Sequence, residues 1–295
     1  MRSAKGTSFN KNMKISYVLP TKNKLPYLKI TLGDLILNRA DNEEIVVIDG
    51  GSTDGTKEFL DEAFQKGKIQ KFISEQDFGE SHGVNKGWLL ADGDIIKPVT
   101  DDDLFSFSVI RQGAEFMIKN PQIDLVMTNG CKSTLPSKKI SNFSYEASFE
   151  SWRDAGKPFA FCGLGMLLRK KSLPLLGLLD TSYIRTDEEY ALRVTTNKKI
   201  QIALYTRAMY FHVANKNSNT NTMNEKFHAE TKRLAKIYGK QKNVSFLKKI
   251  AGKIKRTKTT QKEESFSDME EGYTYYQKWL ANENAKNNGQ FLYKK

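Results

Sequence analysis

Glu44 to Thr56 reads EIVVIDGGSTDGT: an apolar run from Ile45 to Ile48, an aspartate, two glycines, then polar turn residues. An unbroken run of this kind, closed by Asp49-Gly50-Gly51, predicts a strand covered on both faces, as in a parallel sheet. The flanking sequence repeats the pattern. Upstream, KISYVLPTKNK (Lys14–Lys24) reads as a buried strand stopped near Pro20, and LPYLKITLGDLILNRA carries Leu28, Leu32, Leu35 and Ile36 at helical spacing. Downstream, GTKEFLDEAFQKG predicts a helix, IQKFISE a strand, SHGVNKGWLLADG a helix and DIIKPV a strand. Strands alternating with helices predict a doubly wound α/β sheet, in which ligands bind beyond the carboxyl ends of the strands. The loops at those ends are PTKN, DGGSTDG, SEQD and TDDD, so polar chemistry gathers where the architecture places a site.

Further along, FSVIRQGAEFMIKNP and DEEYALRVTTN predict helices, IDLVMTNG and Gly165–Arg169 strands, and IQIALYTRAMYFHVA one or two strands. From about Asn215 the composition turns polar and basic. NKNSNTNTMNEK reads as a linker or mobile loop, EKFHAETKRLAKIYGK and VSFLKKIAGKIKRTKTT as basic helical stretches, and YTYYQKWL (Tyr273–Leu280) as a docking helix. The expected organisation is a polar, flexible lead over 1–13, one α/β domain over 14–214 and a basic, partly helical extension over 215–295.

The chain has 295 residues with 47 Lys and Arg against 34 Asp and Glu, a net charge of +13. That surplus favours anionic partners: nucleotide phosphates, anionic lipid or nucleic acid. No nucleic-acid recognition module is visible, which sets that class aside. The two cysteines, Cys131 and Cys162, are too far apart for a zinc ribbon or a disulfide framework and read as reduced thiols. The polar first residues do not read as a secretory signal, and PFAFCGLGMLL is too short to span a bilayer. These features fit a cytoplasmic protein.

Several acidic groups have two readings each. Asp49 either caps its own turn or accepts hydrogen bonds from a nucleotide. Asp101, Asp102 and Asp103 either cap the helix starting near Ser106 or face a divalent cation, since adjacent buried carboxylates need a counter-charge. In an extended segment Asp101 and Asp103 would point one way and Asp102 the other. Asp187, Glu188 and Glu189 either complement the dipole of a helix start or supply a proton acceptor.

Taken in order, YVLPTKN, EIVVIDGGSTDGT, SEQDFGESHGVNKGWLLADGDIIKPVTDDD and LLDTSYIRTDEEYALRV resemble the family 2 glycosyltransferases, inverting enzymes with a GT-A fold. The resemblance covers about residues 13 to 213. It implies a GT-A type doubly wound, mostly parallel sheet flanked by helices. It also implies Pro20 and Thr21 at the nucleotide pocket, Asp49 on the base, and Asp77, Asn85 and Lys86 on the donor side. Asp101 to Asp103 then occupy the metal-binding DxD position, with Asp103 the first choice as ligand to Mn2+ or Mg2+, Asp101 and Asp102 beside it, and His212 near the diphosphate or metal. Asp187 falls at the catalytic base, with Glu188 as the fallback. The sequence departs from the family pattern at His82, where relatives carry an acidic residue, and at Asp101, an extra carboxylate.

The implied function is transfer of a sugar from a nucleoside-diphosphate donor, UDP-linked by expectation, to a glycan or lipid-linked acceptor in surface polysaccharide synthesis. Basic amphipathic FLKKIAGKIKRTK suggests peripheral contact with the anionic inner face of a membrane. Two rival functions are a sugar-nucleotide-forming nucleotidyltransferase, disfavoured because LPTKNKLPYL lacks glycine, and a catalytically inactive scaffold.

Overall fold

The computed structural model describes residues 14–214, 224–238 and 265–294. Sequence readings on 1–13, on the 215–223 linker and on the basic stretch within 239–264 lie outside these described residues. The first half runs β1 (Ile15–Thr21), α1 (Leu25–Asn38), β2 (Glu44–Asp49), α2 (Thr56–Gln65), β3 (Lys71–Ser74), α3 (Glu80–Leu90) and β4 (Ile95–Pro98). The second half continues with β5 (Leu104–Phe105), α4 (Phe107–Lys119), β6 (Leu125–Thr134), β7 (Ser141–Phe143), α5 (Glu146–Ala155), β8 (Leu167–Arg169), α6 (Leu173–Leu176), α7 (Thr186–Thr196) and β9 (Ile202–Ala214). Two helices and a strand follow: α8 (Asn224–Ile237), α9 (Met269–Lys286) and β10 (Phe291–Tyr293).

All described strands belong to one sheet, ordered β10-β9-β6-β8-β4-β1-β2-β3, with β5 paired to β9 and β7 to β6. β4, β1, β2 and β3 are parallel to one another. β8 enters antiparallel between β4 and β6, so the sheet is parallel in its first half and mixed in its second. Every residue of β1 and β2 is buried, as expected of central strands with helices on both faces.

Alternation along those strands sorts the core into two layers. Ile15, Tyr17, Leu19, Ile45 and Val47 face one cluster, where Leu28 and Leu32 of α1, Leu60 of α2 and Val109 and Ile110 of α4 pack. Val18, Val46 and Ile48 face the other, with Trp88 of α3, Phe149 of α5 and Tyr190 and Val194 of α7. Gly87 sets the distance of α3 from the sheet: a Cβ there would come within 2.2 Å of Val18 Cγ1.

The sheet does not stop at Ala214. β10 pairs antiparallel with β9, and α9 buries Tyr273, Tyr276 and Leu280 against Leu104, Phe211 and Val213. These three side chains lie on one helical stripe, and each contributes about 2 kcal/mol of apolar burial. Among the described residues, no helix is long and apolar enough to cross a membrane.

Candidate active site

The carboxyl ends of β1 and β2 are stitched together before any ligand arrives. Gly50 N donates to Thr21 O (2.9 Å), Asn23 N to Ser52 Oγ (2.8 Å), Thr53 N to Asn23 Oδ1 (2.7 Å) and Leu25 N to Asp54 Oδ2 (3.0 Å). Asp49 is fully buried at the end of β2, and Ser52 N and Oγ and Ser74 Oγ (2.6 Å) all donate to it. Asp77, in the β3–α3 loop, lies against Gly50: a Cβ at Gly50 would come within 2.3 Å of Asp77 Oδ2. Lys22 Nζ stands 3.7 Å from Asp77. Pro20 is buried beside Gly83 of α3, which leaves the wall of this corner smooth.

After β4 the chain bends at Asp101 and Asp102, so the alternation expected of an extended segment does not form. Thr21 Oγ1 donates to Asp101 Oδ2 (2.7 Å), and Lys24 Nζ pairs with Asp102 Oδ2 (3.0 Å). Asp103 is 3% exposed; it accepts from His212 Nδ1 (2.9 Å), Val213 N (2.8 Å) and Thr100 Oγ1 (2.7 Å). The helix-cap reading fails, because α4 starts from Ser106 without a side-chain cap. The three carboxylates fan out to β1, the β1–α1 loop and β9.

Their electrostatics differ accordingly. Burial raises Asp103, but the His212 charge and the hydrogen bonds from His212, Thr100 and Val213 outweigh it and hold the carboxyl below its usual range. Burial lowers His212, and Asp103 more than reverses this, so His212 is raised. Burial also lowers Lys24, and Asp102 more than reverses that. Burial and the Asp102 charge push Asp101 up to about 8, against the Thr21 hydrogen bond and the Lys24 charge. The bend therefore cannot hold all three carboxylates ionised at neutral pH without added positive charge, and Asp101 is the one that keeps its proton.

Among the described residues, no group of three or more His, Cys, Asp or Glu side chains is assembled around a common point. The residue types nevertheless suit a divalent cation: carboxylate oxygens with one imidazole. A cation beside Asp101 would let its carboxyl ionise, and with Nδ1 bonded to Asp103 a neutral His212 would offer Nε2 as a donor atom.

α7 begins at Thr186. Its first turn carries Asp187, Glu188 and Glu189, and the last two are held in ion pairs. Glu188 pairs with Arg185, and Glu189 with Arg193 (2.9 Å). Asp187 accepts from Glu188 N (2.8 Å) and packs against Gly163. Protein atoms crowding its carboxyl raise it, while the backbone hydrogen bonds from Gly163 and Glu188 oppose the rise. The residue is exposed, so water at the carboxyl limits this shift. Glu230 of α8 accepts from Ile184 N (3.0 Å) and Arg185 N (2.9 Å), holding the loop that leads into the helix.

The remaining candidates lie around α3. Asn85 exchanges two hydrogen bonds with the Leu179 backbone (2.9 Å each), so its amide is spent on the α6–α7 loop. Lys86 pairs with Glu75. His82 Nδ1 accepts from Phe78 N (3.3 Å), and its ring packs on Phe78. Sequence reasoning missed Lys24 and Tyr273, whose hydroxyl donates to the Asp102 carbonyl. The Lys24 signal was available, a cation just past a strand end; Tyr273 carries no local signal.

The profile of glycosyl transferase family 2 matches residues 16–173. The chain belongs to this family. An uncharacterized glycosyltransferase of Haemophilus influenzae is 30% identical over 117 residues, 39% of this chain and 46% of that protein. Poly-beta-1,6-N-acetyl-D-glucosamine synthase of Staphylococcus epidermidis is 26% identical over 181 residues, 59% of this chain and 43% of that protein. The aligned stretch thus spans less than half the length of either curated relative. Among solved structures, S. aureus TarS 1-349 in complex with UDP-GlcNAc is similar with a TM-score of 0.55 and 16% identity, over 76% of this chain and 66% of that one. Mannosyltransferase PcManGT from Pyrobaculum calidifontis, in complex with GDP-Man and Mn2+, gives 0.53 and 18% over 74% and 62%. These likenesses establish the GT-A fold, with its mixed sheet flanked by helices.

Proposed function

We propose that this glycosyltransferase moves a sugar, with inversion, from a nucleoside-diphosphate donor to a hydroxyl of a glycan or lipid-linked acceptor in surface polysaccharide synthesis. The observation that carries the reading is the run of three carboxylates at the Asp101–Asp103 bend, with His212 against Asp103, at the strand ends where a doubly wound fold binds its ligand. A UDP-sugar donor is favoured because S. aureus TarS, similar in fold, was solved in complex with UDP-GlcNAc. Asp49, Asp77 and the Thr21 corner would receive the nucleoside. Asp103, the first choice as ligand from the sequence, has its carboxylate taken up by His212, Val213 and Thr100, so it would orient the imidazole while Asp101, Asp102 and Nε2 of His212 would hold Mn2+ or Mg2+. When bound, that cation would offset charge on the departing diphosphate.

Asp187 would accept the acceptor hydroxyl's proton as the oxygen attacks the anomeric carbon. Glu188, neutralised by Arg185, is the weaker candidate. A single displacement needs no protein nucleophile. The net charge of +13 also fits action at an anionic inner membrane face.

The test is a panel of sugar nucleotides incubated with the protein and Mn2+ or Mg2+, reading free nucleoside diphosphate, with EDTA controls. Cation-dependent turnover of one donor is expected. Absence of both turnover and cation-dependent nucleotide binding with every donor would sink the reading.

A further inference from the structure

The stretch between β4 and β5 has little secondary structure of its own. Its backbone must find partners elsewhere, since buried carbonyls are not left unpaired. Thr31 Oγ1 of α1 takes the Asp101 carbonyl (2.8 Å), and Tyr273 of α9 takes the Asp102 carbonyl. Tyr273 is 2% exposed and lies 171 residues from Asp102, outside the stretch that the family profile matches.

Other contacts seat α9 away from the bend. Tyr276 donates to Ser133 Oγ (3.0 Å) and Ser137 O (2.6 Å) and stacks on Phe211. Asn284 bonds both backbone groups of Ala208, and Gln277 Nε2 donates to Asp34 Oδ1 (2.7 Å). The helix is thus anchored independently of Tyr273, whose hydroxyl is left to act on the bend.

We propose that Tyr273 is a positioning residue for the donor site: by holding the Asp102 carbonyl it fixes the peptide that aims Asp102 at Lys24 and Asp103 at His212. This rests on the donor reading of the bend given above. Three adjacent carboxylates repel one another and drift apart when their backbone is loose. A backbone fixed before the donor arrives spares the binding step that ordering cost.

The same helix supplies the control. Tyr273→Phe and Tyr276→Phe each remove one buried hydroxyl and keep the ring, but only the first touches the bend. Amide hydrogen exchange on the full chain without ligand reads the bend directly, and calorimetric UDP and GDP titrations with Mn2+ read the donor side. Tyr273→Phe should speed exchange across residues 100–105 by about fivefold to tenfold and weaken nucleotide binding by a similar factor. Tyr276→Phe should lower Tm and leave both readings at the wild-type values.

Unchanged exchange and affinity in Tyr273→Phe, or equal changes in both variants, would overturn the assignment alone. A wild-type chain that binds neither nucleotide would overturn the donor reading, and the role of Tyr273 in it.

Discussion

The two halves of the sheet hold their acidic residues in different ways. On the β1–β3 side, Asp49 is met by Ser52, three residues on, and by Ser74, 25 residues on. On the β4–β9 side, Asp103 is met by His212, 109 residues away, and the Asp102 carbonyl by Tyr273, 171 residues away. The first arrangement is built from contacts within one or two βα units and forms as those units form. The second exists only after β9 and α9 have docked, because long loops must close before their contacts repay the entropy. Substitutions on the near side should act locally, and those on the far side should reach the site through packing.

The largest expected effect separates chemistry from both kinds of support. Asp187→Asn should lower kcat by about 100-fold or more, with Tm and donor binding near wild type, while Glu188→Gln should change kcat far less. Full transfer rates in a folded Asp187→Asn protein would remove the proposed base.

Next comes a far-side clamp. Asn284 is 6% exposed, and Ala208 N (3.1 Å) and Ala208 O (2.8 Å) depend on it. Asn284→Ala leaves two buried backbone groups unpaired and should cost about 3 kcal/mol in urea unfolding. A loss below about 1 kcal/mol would mean that the far side does not depend on this clamp.

Lys97 sharpens the comparison through pH. It is fully buried in β4, its ammonium donates to Leu164 O and lies over Phe105, and burial lowers it from 10.5 to about 7. Between those values the unfolded chain binds the proton that the folded chain lacks. Its contribution to stability should therefore fall as pH drops from 10 toward 7, by about 1.4 kcal/mol per unit, and level off below. Lys97→Met should remove that slope in unfolding curves at pH 7, 8 and 9; parallel curves for the two proteins would refute it.

The smallest effect belongs to the near side. Ser74→Ala takes one donor from Asp49 and should cost about 1 kcal/mol, without altering hydrogen exchange at residues 100–105.

This division also explains what was legible. The alternating units up to β4 follow from local patterning, and the strand-end acids mark the candidate site. The antiparallel entry of β8 was not legible: a strand of three residues has no signal for its neighbours. α5 was missed because it buries only Phe149 and Trp152. Asn85 sits within a family motif, but its partner is the Leu179 backbone, 94 residues away. Glu188 and Asp187 look alike in sequence, and the ion pair that Glu188 makes with Arg185 sets them apart.

The distance between Asp102 and Tyr273 also sets an order in time. During synthesis the acidic bend emerges 171 residues before the hydroxyl that steadies its backbone. On the roles assigned here, a nascent chain can fold its nucleotide corner early yet lack a finished donor site until α9 has left the ribosome and docked. On those roles, partly made copies would bind donor several-fold more weakly than the finished chain.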